Sequence, residues 1–281
     1  MFNNVKLIAA DMDHTLLTEK GDLPPNFDDY IYKLERYGIN FVIASGRPLY
    51  TLEMLFQKDK NRMSFIADNG GVVTHNGTII FKSLLDTNDY QSIIRFVEAQ
   101  TDGIAILCGL DSAYISEKFK VHEPFLKTFY AKITFVKNLS EVVVDADKFT
   151  IYFPQKNSKT YYEKTFHQKY SQKFSVTVGD TLWIDIMNKG INKGKAIELL
   201  GIKLDIESEQ MMAFGDTYND IEMLQMVKYS YLVENAVEDM KQYARFITAS
   251  NDNFGVIKII DKVLLDYQNN ATVPRRLCKK A

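Results

Sequence analysis

Leu7-Ile8-Ala9-Ala10-Asp11-Met12-Asp13-His14-Thr15-Leu16-Leu17 is an apolar run that ends in two acids. A run of this length near the N-terminus predicts a strand buried on both faces. Open α/β sheets carry their chemistry just beyond the carboxyl ends of such strands. If the backbone stays extended over Asp11-Met12-Asp13, the two-residue period aims both carboxylates at one place and turns Met12 into the protein. Two like charges so placed repel, and a cation is needed between them.

Working outward, Gly21-Asp22-Leu23-Pro24-Pro25 reads as a turn, and Asn26 is a candidate cap for a helix whose apolar positions Phe27, Tyr30, Ile31 and Leu34 recur at helical spacing up to Gly38. Ile39-Asn40-Phe41-Val42-Ile43-Ala44 follows as a second buried strand, so the first unit is strand, helix, strand, a parallel pair with a right-handed crossover. That strand runs into Ser45-Gly46-Arg47-Pro48, where Gly46 permits a tight turn and Pro48 suits the first turn of a helix. A hydroxyl and free N–H groups at a helix start make an anion site. A third strand, Ser64 to Ala67, precedes Asp68-Asn69-Gly70-Gly71, and Asn76-Gly77 between two β-rich runs predicts a hairpin.

From Ser83 to Lys189 the pattern alternates sheet and helix without acid clusters at strand ends, which predicts a smaller inserted α/β domain. The earlier style resumes with Lys193-Gly194-Lys195 to Gly201, read as a helix closed by glycine. The strand Met211 to Phe214 then opens onto Gly215-Asp216-Thr217-Tyr218-Asn219-Asp220. The expected architecture is a Rossmann-like, doubly wound parallel sheet core from residues 1–82 and 190–281, with the inserted α/β domain over 83–189.

The chain of 281 residues is 46% hydrophobic and carries 34 basic against 36 acidic side chains, a net charge of −2. That balance gives no broad positive field for nucleic acid or an anionic membrane. The one basic cluster, Thr272 to Lys280, reads as a solvated tail. Cys108 and Cys278 are too few and too far apart for a disulfide framework. No apolar run is long enough to span a bilayer, and nothing at the N-terminus resembles a secretory signal, so a cytoplasmic protein is expected.

In one parallel sheet the acids Asp11 and Asp13, the hydroxyl Ser45, and the set Asp216, Asn219 and Asp220 converge on one edge, with Lys193 opening the helix just before the last strand. Two carboxylates about 4 Å apart cost roughly 4 kcal/mol near a protein surface, so either some protonate or a cation binds. Mg²⁺ suits an all-oxygen set with few protein ligands, and it shares phosphate oxygens readily. A phosphate monoester explains the remaining parts. Ser45 and neighbouring N–H groups can hold its oxygens, and Lys193 can neutralise its charge. One carboxylate can attack phosphorus, and another can move protons. Lys195 competes for the lysine role, but the helix-start position and the following glycine favour Lys193.

These segments, in this order and spacing, resemble the four motifs of the haloacid dehalogenase-like hydrolases. The long insert resembles the α/β cap of their Cof-type sugar-phosphate phosphatase branch, and the likeness runs from Val5 to about Leu265. It implies Asp11 as nucleophile and Asp13 as acid/base. It further implies Ser45, with Gly46 beside it, and Lys193 as phosphate ligands. Mg²⁺ would be held by Asp11, Asp216 and the Asp13 backbone carbonyl, with Asn219 and Asp220 in support. Arg47 and Asn69 fall where this branch places groups near substrate, although a salt bridge for Arg47 and a turn role for Asn69 stay open.

His14 departs from the pattern, which has glycine there. Histidine tolerates positive φ, so a structural replacement is expected rather than a catalytic histidine. The implied activity is Mg²⁺-dependent hydrolysis of small phosphorylated metabolites, sugar phosphates or similar esters, by a monomer or homodimer. A phosphosugar mutase and a non-catalytic phosphometabolite sensor are the alternatives.

Overall fold

The computed structural model describes residues 2–272. The basic cluster beyond Thr272, with Cys278, lies outside the described residues. Among the described residues, fourteen strands fall into two sheets. The first sheet takes β1 (Leu7–Ala10), β2 (Asn40–Ala44), β3 (Ser64–Ala67), β4 (Val72–His75) and β5 (Thr78–Lys82). The second is built from β6 (Ile104–Gly109), β7 (Ala113–Ser116), β8 (Ile133–Val136), β9 (Ala146–Tyr152), β10 (Phe174–Asp180) and β11 (Trp183–Asn188). The chain then returns to the first sheet with β12 (Met211–Gly215), β13 (Tyr229–Val233) and β14 (Phe246–Thr248).

The first sheet has the order β14-β13-β12-β1-β2-β3-β4-β5. Pairing is parallel from β14 through to β3, and the hairpin β4–β5 adds an antiparallel edge. Asn76 and Gly77 at its tip both take positive φ, +48° and +75°, as the Asn-Gly signal requires. Strand alternation makes the sheet doubly wound. Ile8, Ala10, Phe41, Ile43, Met212 and Phe214 face a core shared with the helices Phe27–Arg36 and Gly255–Thr272. Leu7, Ala9, Val42, Ala44 and Ala213 face another, closed by Ala196, Ile197 and Leu200 of the helix Lys193–Leu204.

Several local expectations change. Asn26 stands at the start of its helix but in the left-handed region, with no side-chain cap bond. Gly201 does not end its helix, which runs on to Leu204 and is closed by Asp205 at φ 54°. The missing Cβ of Gly201 instead gives space to the Met211 side chain and to the Ile206 carbonyl, 2.8 Å from where that Cβ would be. The strand Ile133–Val136 lies in a polar, weakly periodic stretch that carries only a weak strand signal of its own; it pairs parallel with β7 and is tertiary in origin.

The second sheet, in the order β10-β11-β9-β6-β7-β8, lies over the first across a cleft. Its two faces differ by register. Phe149, Ile151, Ile184 and Ile186 pack with Tyr90, Ile93, Ile94 and Val97 of the helix Thr87–Gln100. The alternate residues Lys148, Thr150 and Tyr152 of β9 line up with Trp183 and Asp185 of β11, through the pairs Tyr152–Trp183 and Thr150–Asp185. Lys148, Thr150, Trp183 and Asp185 all border the cleft.

Candidate active site

Strand pairing continues one step past the ends of β1 and β2. Asp11 N–H donates to the Phe214 carbonyl at 3.0 Å, and Ser45 N–H donates to the Ile66 carbonyl at 2.8 Å. Asp216 directly follows β12, so the three strand ends bring Asp11, Ser45 and Asp216 to one edge. The extended path expected over Asp11-Met12-Asp13 does not form. A single wide turn spans Met12–Leu16, closed by Leu17 N–H on the Met12 carbonyl at 2.9 Å, with Asp13 at φ −75° and His14 at φ 60°. Both carboxylates still reach the cleft, and Met12 is buried. His14 takes the backbone state of a glycine. Its ring faces Glu19 Oε1 at 3.1 Å, and its carbonyl accepts from Asn235 Nδ2 at 2.8 Å.

The cation required between the acids is two cations. Lys193 Nζ, fully buried, donates to Asp11 Oδ1 at 2.5 Å and to Asp220 Oδ1 at 2.7 Å. Arg47 instead grips Asp13, Nε to Oδ2 at 3.0 Å and Nη2 to Oδ1 at 2.7 Å, a bidentate fork. Lys195 pairs at the surface with Glu198, one turn along its own helix, and takes no part. Oxygens of Asp11, Asp216 and Asp220 lie within 4.8 Å of one another, all buried.

Burial pushes the Asp11 carboxyl up to about 7 against the pull of Lys193, with Asp220 and Asp13 adding to the rise. Burial also lifts Asp216 well above the carboxylate range, and Asp11 and Asp220 reinforce it. Burial alone would lower the Lys193 ammonium, but the two carboxylates it touches outweigh that and hold it charged. One lysine is therefore left to offset three acids, an arrangement that favours an added cation. The all-oxygen set fits a hard divalent ion. Asp220 is already satisfied, since its Oδ2 accepts from the N–H groups of Asp216 (3.0 Å) and Thr217 (3.3 Å). Asp216 Oδ1 accepts from the Thr15 hydroxyl at 3.1 Å.

Among the remaining predicted residues, Ser45 is buried at the cleft with its Oγ accepting from Arg47 N–H at 3.1 Å. Asn69, at φ 55°, is both a turn residue and a link: it accepts from Asn219 Nδ2 at 3.0 Å and donates to Asp185 Oδ2 at 2.6 Å. All these groups border or adjoin a cavity of about 430 Å³ between the two sheets. A second cavity, of about 460 Å³, lies beyond Lys193 and Asn219 and contains none of Asp11, Asp13, Ser45 or Asp216.

With this geometry in view, the haloacid dehalogenase-like hydrolase family matches residues 8–260. The chain belongs to that family. The hydrolase is 29% identical over 264 residues, 93% of its own length and 97% of the relative's, to 5-amino-6-(5-phospho-D-ribitylamino)uracil phosphatase YbjI of Escherichia coli K12. It superposes with a TM-score of 0.86 on SMU.1108c of Streptococcus mutans UA159, at 31% identity, covering 93% of this chain and 99% of that one. The subclass IIB sugar phosphatase BT4131 shares the fold, with a TM-score of 0.75 at 21% identity over 92% of this chain and 98% of that one.

Sequence reasoning missed what the insert of this hydrolase brings to the cleft. Lys148, 2% exposed, donates to the Gly46 carbonyl and lies 3.1 Å from Asp68 Oδ1 and 3.6 Å from Asp185 Oδ2. Asp185 also accepts from Thr150 Oγ1 at 2.6 Å. Arg47 Nη1 reaches across to the Thr128 carbonyl at 2.6 Å. The available signal was the alternation of Lys148 and Thr150 with Phe149 and Ile151 in one strand, polar groups on a face that an independent sheet would leave in water.

Gly194 lets the helix that carries Lys193 pack closely against its neighbour. A Cβ there would stand 2.6 Å from the backbone carbon and oxygen of Glu222, which are held in the helix Ile221–Met226. Gly194→Ala is expected to cost about 1–3 kcal/mol through this overpacking. The urea midpoint should fall with an unchanged slope.

Proposed function

We propose that this hydrolase is a Mg²⁺-dependent phosphatase of small phosphorylated metabolites, sugar phosphates or similar monoesters, acting through a phosphoaspartate. The observation that carries the reading is Lys193 Nζ joining Asp11 to Asp220 with Asp216 alongside, a charged, buried cluster at the floor of a substrate-sized cleft. Membership of the family and relatives named as phosphatases support it. Asp11 attacks phosphorus, and the bond to the leaving oxygen breaks. Asp13, oriented by the Arg47 fork, protonates that oxygen. Asp13 then takes a proton from water as the water attacks the acyl phosphate, releasing inorganic phosphate and restoring the Asp11 carboxylate. Ser45, the Gly46 backbone and Lys193 hold the phosphoryl oxygens, and Asn219 steadies Asn69 at the rim.

Asp11 and Asp216, with the Asp13 backbone carbonyl and Asp220 in support, would hold Mg²⁺, which when bound supplies charge neutralisation at the phosphoryl oxygens. In this reading the chain divides into a catalytic core, 1–82 and 190–281, and a cap, 83–189, that covers the cleft and excludes water. Among the described residues no helix is long and apolar enough to cross a membrane, and a cytoplasmic setting suits small phosphorylated substrates.

The test is phosphate release from a panel of sugar phosphates with and without EDTA. Activity is expected to vanish with the chelator and return with Mg²⁺. Binding should also stabilise the fold, by about 2.7 kcal/mol at a hundredfold excess over Kd. A melting temperature indifferent to Mg²⁺, or activity that survives EDTA, would exclude the assigned metal site.

A further inference from the structure

The cleft has a second end that the phosphoryl chemistry leaves unused. Phe129 and Trp183, both half-buried, border the same cavity as Asp11 and Asp13. Contacts trace a path to them from the acid/base group. Arg47 holds Asp13 at 2.7 Å, its guanidinium lies 5.1 Å from the Phe129 ring, and Phe129 meets Trp183 edge-on with centroids 5.1 Å apart. The aromatic wall therefore stands on the side of the site where the leaving oxygen departs. Trp183 is braced by Phe125, parallel within 9° at 6.0 Å, and by Tyr152 at 4.9 Å, while Phe125 and Tyr152 stack on each other at 5.1 Å. A ring held this firmly loses little freedom when a ligand packs on it.

The polar groups on this wall are already engaged. Lys148 serves Gly46, Asp68 and Asp185, and Asp185 accepts from Thr150 and Asn69. A leaving group made only of hydroxyls finds few open partners here, whereas a planar ring finds an aromatic surface.

We propose that Trp183 and Phe129 form a ring-binding subsite, so that the preferred phosphomonoester carries a planar heteroaromatic group on its leaving alcohol. The orientation of the ester rests on the phosphatase reading above; the wall itself does not. Two matched substrate pairs isolate the ring: ribose 5-phosphate against uridine 5′-phosphate, and ribitol 5-phosphate against riboflavin 5′-phosphate. In at least one pair the ring-bearing ester is expected to have a kcat/KM roughly tenfold or more higher, the scale of one base stacked on an aromatic side chain. Trp183→Leu should shrink that ratio by a similar factor, mainly through KM. Ratios near one in both pairs, or a ratio untouched by Trp183→Leu, overturn the proposal.

Trp183 is the only tryptophan in the chain, so its fluorescence reports from the subsite itself. In Asp11→Asn, the ring-bearing ester of at least one pair is expected to change that emission while its ring-free partner leaves it nearly constant; equal responses in both pairs overturn the subsite. Ring-selective quenching in a protein that hydrolyses no ester would keep the subsite and remove the phosphatase reading. Hydrolysis with no ring preference and no selective quenching would do the reverse.

Discussion

Asp11→Asn is expected to lower kcat by at least about three orders of magnitude, the scale seen when a covalent nucleophile is removed, while leaving the protein as stable as before or more so. The two effects have one origin. Asp11 is buried against Lys193 with Asp216 and Asp220 close by, and its carboxyl is pushed up to about 7 mainly by that burial. An amide keeps the acceptor for Lys193 Nζ but removes one negative charge from a set that a single lysine offsets. Function and stability should therefore move apart, as strained catalytic clusters do. Phosphate release from a responsive sugar phosphate and a thermal melt on the same samples give the check. Activity that survives in Asp11→Asn would take the nucleophile role away from this residue, and a large drop in melting temperature would mean that the charge cluster is not under repulsion.

Lys193→Met is expected to be costly on both counts. The ammonium is fully buried and contacts Asp11 and Asp220 directly, so its removal strands two buried carboxylates. Breaking such a pair from one side typically costs about 3–5 kcal/mol. Methionine fills much of the space, so the loss is electrostatic rather than a cavity. The double variant Lys193→Met with Asp220→Asn should recover part of the stability, because the second change removes one of the stranded charges. It should recover no activity, since no donor then stands where the proposed mechanism has Lys193 Nζ hold the phosphoryl oxygens. Denaturant midpoints for the single and double variants measure the coupling; strict additivity would show that Lys193 and Asp220 do not act as a pair.

The aromatic wall and the polar bridge to the cap explain why part of the site was hidden in the sequence. Lys148 and Asp185 lie 102 and 116 residues from Gly46 and Asn69, the partners that give them meaning. In isolation each is an ordinary charged residue in a strand. Trp183 carries no local signal of a site, and only the packing of Phe129, Phe125 and Tyr152 around it makes it one side of a cleft. Arg47 was open to two readings because its local context allows both; the fork on Asp13 is a tertiary outcome.

The opening stretch divides along the same line. The sequence by itself determined that Leu7 to Ala10 is a buried strand ending in acids, that Ser45, Lys193 and Asp216 stand at the ends or starts of strands and helices, and that a histidine at position 14 tolerates positive φ. These follow from short-range periodicity and turn chemistry, which a dozen residues suffice to express. Only the tertiary structure decided how the charges are shared, Lys193 with Asp11 and Asp220, Arg47 with Asp13. That sharing depends on angstrom-scale distances between side chains from distant segments, and strand register and the docking of two sheets set those distances.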